Sequence, residues 1–251
     1  MLAGRAVCAD DTTSDERSAA AEIAVNPLPI VEKLNFEPSY QWAHDTTSYR
    51  AELQFEPVVP YHGILIPGLD AYDIWSIARV QLTAESLQNS NGTASGLENL
   101  NFVDLAAHRF GSLTLGAGFG SVFPLATSPE LGPAKWQLGP ALGFSAELSR
   151  YFTLGGLAQA LWSVAGSSAV AHQSYVTVQP FVTLHPYPGV LVVSDATMSF
   201  YWAGGSTTVP IDLGLGYAFS KHFVGTLKGQ LTVAGSNDGA VEALLELEFL
   251  P

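Results

Sequence analysis

Read at every second position, the charged residues of this chain fall into one set: Glu37; Arg50, Glu52 and Glu56; Arg79; Glu147; Asp195; Asp212; Lys228; and Glu242, Glu246 and Glu248. Lys135 shares their parity. On an extended backbone side chains two apart point the same way, so Arg50, Glu52 and Glu56 stack on one face, as do the three C-terminal glutamates. The chemistry open to such a set is electrostatic. Carboxylates gathered against low-dielectric walls draw cations, admit neutral polar solutes and repel anions. The same residues could instead close on themselves, with Arg79 and Lys228 neutralising neighbouring carboxylates in an ion-pair network that fills a small interior.

Other chemistries find little support. His172 and Ser174 would share a face of a strand, but no Gly-x-Ser-x-Gly elbow surrounds the serine, and nucleophilic catalysis needs an oriented base as well. The chain is therefore read as non-enzymatic. Cys8 is its one cysteine, and His44, His62, His108, His185 and His222 are not spaced as a metal site, so no metal or cofactor is expected. The net charge of −13 leaves no basic stripe for phosphates, which argues against a nucleic-acid partner.

The elements that would carry the charged set are strands. About twelve segments alternate apolar with polar residues, near 34–43, 48–59, 72–84, 97–108, 111–123, 135–148, 151–164, 174–186, 189–202, 208–219, 222–234 and 240–250. Within 135–148, Trp136, Leu138, Leu142 and Phe144 share one face, while Lys135, Gln137, Ala141 and Ser145 share the other. Connections alternate as well. Tight turns at 109–110, 149–150, 187–189 and 220–221 exchange with longer Gly/Ser/Asn/Pro-rich stretches at 85–96, 126–134, 165–173, 203–207 and 235–239, and 60–71 breaks the rule. Aromatic residues gather near strand ends on the apolar parity, as a membrane girdle requires. Only 13% of residues are charged, against roughly 25% in soluble domains. No stretch of 18 apolar residues exists, so a helical span is excluded while a barrel is not.

These observations give an all-β chain: a single transmembrane antiparallel β-barrel of about twelve strands over 34–251, with short periplasmic turns and longer external loops. Residues 10–33 form a periplasmic lead-in or partial plug, helical over about 15–24. Residues 1–9 end in a small-x-small pattern and read either as the remnant of a signal peptide or as an ordinary terminus.

Several blocks carry a resemblance: Phe119-Gly120-Ser121-Val122-Phe123-Pro124-Leu125-Ala126-Thr127, then Leu131-Gly132-Pro133-Ala134-Lys135-Trp136-Gln137-Leu138-Gly139-Pro140-Ala141, Gln159-Ala160-Leu161-Trp162-Ser163-Val164-Ala165-Gly166, Val178-Gln179-Pro180-Phe181-Val182, and Thr208-Val209-Pro210-Ile211-Asp212-Leu213-Gly214-Leu215-Gly216. Their order and spacing over 26–251 resemble a family of Gram-negative outer-membrane barrels labelled as related to the MetA pathway of phenol degradation. The chain departs from that pattern in its short N-terminal signal and in ending Phe249-Leu250-Pro251. The resemblance implies a bacterial outer-membrane location, lipid and the barrel-assembly machinery as partners, and a channel or transporter for small solutes, hydrophobic or aromatic ones included. Two other readings stay open. One is a structural or surface-interaction barrel with a blocked lumen, the other a soluble lipocalin-like binder with its apolar face inward.

Overall fold

The computed structural model describes residues 8–26, 28–43, 48–62, 74–89, 92–202, 207–235 and 238–251, with side chains from Ser14 onward apart from Val25. One helix, α1 (Cys8–Val25), precedes fourteen strands: β1 (Lys33–Trp42), β2 (Tyr49–His62), β3 (Trp75–Asn89), β4 (Gly92–Leu97), β5 (Leu100–Phe110), β6 (Leu113–Phe123), β7 (Lys135–Ser149), β8 (Phe152–Gly166), β9 (Ser174–Tyr187), β10 (Val190–Ser194), β11 (Met198–Tyr201), β12 (Thr207–Ser220), β13 (Phe223–Gly235) and β14 (Val241–Phe249). Two pairs of these are halves of one strand. β4 and β5 both pair with β3, and β10 and β11 both bridge β9 to β12, so the sheet has twelve positions.

Every pairing is antiparallel, and the sheet closes where Leu34 meets Phe249, Phe36 meets Leu247 and Trp42 meets Val241. Closure leaves no edge with unpaired backbone groups, which hydrocarbon cannot satisfy. The parity expected for β7 holds: Lys135, Gln137, Ala141 and Ser145 are buried, whereas Trp136, Leu138, Leu142 and Phe144 are exposed. Leu213, Leu215 and Leu227 are more than 60% exposed on the same outward face. A continuous exposed belt of this kind is untenable in water and fits a bilayer, which rules out the inward-apolar lipocalin arrangement. Aromatic residues mark both ends of the belt, with Trp162 stacked on Trp202 at the long-loop end and Phe219 beside Phe223 at the short-turn end.

Three boundaries differ from the sequence reading. The stretch at 85–96 is mostly strand, because β3 runs on to Asn89 and β4 returns from Gly92 as a hairpin. Its Ser, Gln and Thr content imitates a loop, yet Gln88 pairs with Thr93 and Ser86 shares a hydroxyl hydrogen bond with Ser95. The segment at 189–202 is broken at Asp195–Thr197. β2 extends through Pro60 to His62, and the rest of the 60–71 connection lies outside the described residues.

The helix begins earlier than 15–24 and runs to Val25. Its Ala20, Ala21 and Ala24 pack against Leu191, Val193, Ala218, Val224 and Leu250, the inward residues beside the short turns. Small side chains let the helix approach the wall closely. The chain then turns at Asn26, whose side-chain oxygen accepts the Leu28 amide at 2.9 Å. Leu28 enters a second cluster with Val58, Ile77, Leu105 and Leu157 on the opposite wall. The short-turn end of the barrel is therefore filled by the N-terminal segment from both sides. Nearby, Phe181 is buried against Gly155, where any Cβ would fall 2.3 Å from the ring.

Candidate functional site

Above the helix lies a polar cavity of about 610 Å³. Ten of the twelve residues expected in the interior line it: Glu37, Arg50, Glu52, Glu56, Arg79, Asp195, Asp212, Lys228, Glu242 and Glu246. The other two, Glu147 and Glu248, also point inward but lie outside this cavity. Glu248 is fully buried, 2.8 Å from Lys33. Glu147 is near the short-turn end, gripped by both its oxygens at 2.6 and 2.8 Å by Arg109.

Lys228 organises the centre of the lumen. Its Nζ is 2.8 Å from both Asp195 and Glu246, and 4.0 Å from Glu37. Asp195 is available because the strand breaks there. Asp212 Oδ1 pins the break by accepting from Ser194 Oγ at 3.0 Å and from the Asp195 and Ala196 amides at 2.9 and 3.1 Å. Arg79 donates to Glu56 at 2.8 Å. Nearer the long loops, Arg50 sits 2.8 Å from Glu85 and 3.4 Å from Glu52, while Gln230 and Gln41 both donate to Glu242. A network of ion pairs is thus present, as the second electrostatic reading expected. It does not exhaust the charge: Glu37, Glu52, Glu56, Glu98, Asp195, Asp212, Glu242 and Glu246 face Lys33, Arg50, Arg79 and Lys228, eight acids against four bases.

Sequence reading missed four contributors. Lys33 and Asn35 continue the parity of Glu37: Lys33 falls one residue before the segment at 34–43, and Asn35 lies inside it but is uncharged and so stood outside the charged set. Glu85 continues the parity of Arg79, but fell in the stretch taken for a loop. Glu98, at the break between β4 and β5, had no signal. Lys33 matters structurally, because its ammonium donates to the Ala24 carbonyl at the C-terminal end of α1 while pairing with Glu248. Glu22 on the helix is half-buried against Glu147. Burial first, and then the Glu147 carboxylate, raise its pKa above the usual carboxylate range against the pull of Arg109.

His172 lies exposed before β9, and Ser174 opens that strand with its carbonyl accepting the Trp202 amide. Nothing in that arrangement orients the serine hydroxyl towards a base.

No protein-family model matches the sequence, and no curated protein matches it either. Solved structures do match its shape. An outer membrane channel from Pseudomonas putida F1 superposes with a TM-score of 0.66 at 11% identity, covering 90% of this chain and 97% of the channel. The NanC porin gives 0.60 at 10% identity, covering 87% and 100%. The outer membrane phospholipase A of Escherichia coli gives 0.51 at 13% identity, covering 94% and 98%. At such identities the likeness is one of fold: the chain has the architecture of outer-membrane β-barrels.

Proposed function

We propose that the protein is a channel of the bacterial outer membrane for small polar solutes, preferring cations, with α1 as a plug in its periplasmic mouth. The observation that carries this reading is a closed barrel whose interior is a charged cavity with a carboxylate excess, stopped at the short-turn end by one helix held through alanine contacts and the Lys33 bridge. A lining of carboxylates and amides favours polar solutes over the hydrophobic or aromatic ones associated with phenol degradation. In this account the barrel-assembly machinery inserts the chain, and no catalytic step is assigned to it.

The helix also favours a second reading, a structural barrel whose lumen stays blocked. Planar-bilayer recordings separate the two. The double variant Ala21→Glu, Ala24→Glu places two charges against Leu191, Val193 and Val224 and should undock the helix. A channel gives small or intermittent currents in the parent protein and larger, steadier ones in the variant. Silence from both proteins leaves the blocked barrel.

A further inference from the structure

The lumen is not neutralised by its own residues. Fully ionised, eight acids against four bases would leave four negative charges in a confined site, and confinement makes uncompensated charge expensive unless protons or mobile cations supply the balance. The excess is steep at the long-loop end, where among the described residues Arg50 is the one base beside Glu52, Glu85 and Glu98, whose carboxylate oxygens lie within 4.8 Å of one another.

Two observations independent of that acidity indicate what the balancing cation looks like. Asn35, 5% exposed, faces the inner end of the cavity beside α1. Its Nδ2 donates to Glu246 at 2.7 Å, but its buried Oδ1 has no partner. A buried amide oxygen next to a carboxylate calls for an N–H donor and repels an anion. At the other end Tyr175 and Tyr201, register partners on β9 and β11, turn stacked rings into the same cavity with centroids 4.8 Å apart. Ring faces attract an ammonium group and its adjoining methylenes within about 6 Å, an attraction that a strongly hydrated inorganic ion exploits poorly. A cavity of about 610 Å³ suits a small organic molecule.

We infer that the lumen binds linear polyamines, with ammonium groups distributed between the Asn35 end and the Glu52–Glu98 end and the aliphatic chain passing the tyrosine pair. The inference rests on the channel reading only in taking the lumen as the solute's path. Isothermal titration of the full-length, detergent-solubilised protein with spermidine tests it, with heat-dependent gel mobility confirming that each variant is a closed barrel. Spermidine should bind, and Glu52→Gln with Glu98→Gln, or Tyr175→Leu with Tyr201→Leu, should each weaken binding about tenfold or more, as expected for lost charge-assisted and cation–π contacts. Glu130→Gln, in an exposed loop, should change nothing. Absence of binding overturns the inference, and so does binding that both lumen double variants leave intact, or that potassium chloride abolishes at equal total cation charge. Binding is read here without conduction. A barrel that conducts but ignores spermidine refutes the polyamine while sparing the channel, and one that binds spermidine but never conducts does the reverse.

Discussion

Lys228 is the residue on which most of the interior charge depends. It is 5% exposed and has three carboxylates around it, so removing its ammonium leaves buried like charges facing one another. Lys228→Met should destabilise the barrel by about 3–5 kcal/mol, the cost typical of breaking one side of a buried pair. The temperature at which the folded gel form converts to the unfolded one should fall accordingly, and an unchanged temperature would remove Lys228 from its central place. Glu22 makes a prediction about the helix. Its pKa is raised when the helix is docked, so the docked state holds more protons than the undocked one. Docking is then strongest below the ordinary carboxylate pKa and weakens as pH rises through the raised value. Trypsin cleavage after Arg17 should become faster over that rise in the parent protein, while Glu22→Gln should flatten the dependence. Equal pH profiles for the two proteins would contradict the assignment.

At the level of elements, the sequence reading succeeded where period two was uninterrupted. In β7, β12, β13 and β14 the outward parity is apolar, with glycine only at places such as Gly225 and Gly229, and the alternate residues meet the lumen, so a one-residue slip would invert every face. It faltered where strands leave the membrane or break. Beyond the bilayer both faces of a hairpin meet water, so β3 and β4 lose the apolar signal that marks a strand. The break at Asp195 depends on a carboxylate from another strand, Asp212, and no local pattern could announce it. The extent of α1 was obscured for a similar reason, since its alanine face gains meaning only against a wall built by Leu191, Val193, Ala218, Val224 and Leu250, far along the chain. Parity yields a direct test. Leu213→Lys, on the outward face of β12, should cost up to about 2–4 kcal/mol if it sits near the bilayer midplane. Gln179→Lys, whose side chain faces the cavity, should be nearly neutral for stability. Similar losses from both would show that the faces have been exchanged.

For the whole molecule, closure and plugging act in opposite directions. Twelve sheet positions joined edge to edge make a wall that hydrocarbon tolerates, and that wall encloses a cavity rich in carboxylates. The helix and the turn after it meet the wall through contacts that are numerous but individually modest: Ala20, Ala21 and Ala24, Leu28 on the facing side, the Arg17–Tyr217 hydrogen bond, Glu22 beside Glu147 and the Lys33 bridge. On the proposed reading, contacts of this kind let the helix leave while the barrel stays closed. If the proposed function holds, an acidic pathway runs through the barrel and α1 governs access to it. The reversal potential of the Ala21→Glu, Ala24→Glu variant across a potassium chloride gradient in a planar bilayer reads both properties at once. A potential displaced towards the potassium equilibrium value is the expected result. A potential displaced towards chloride, or no current at all, would contradict the account.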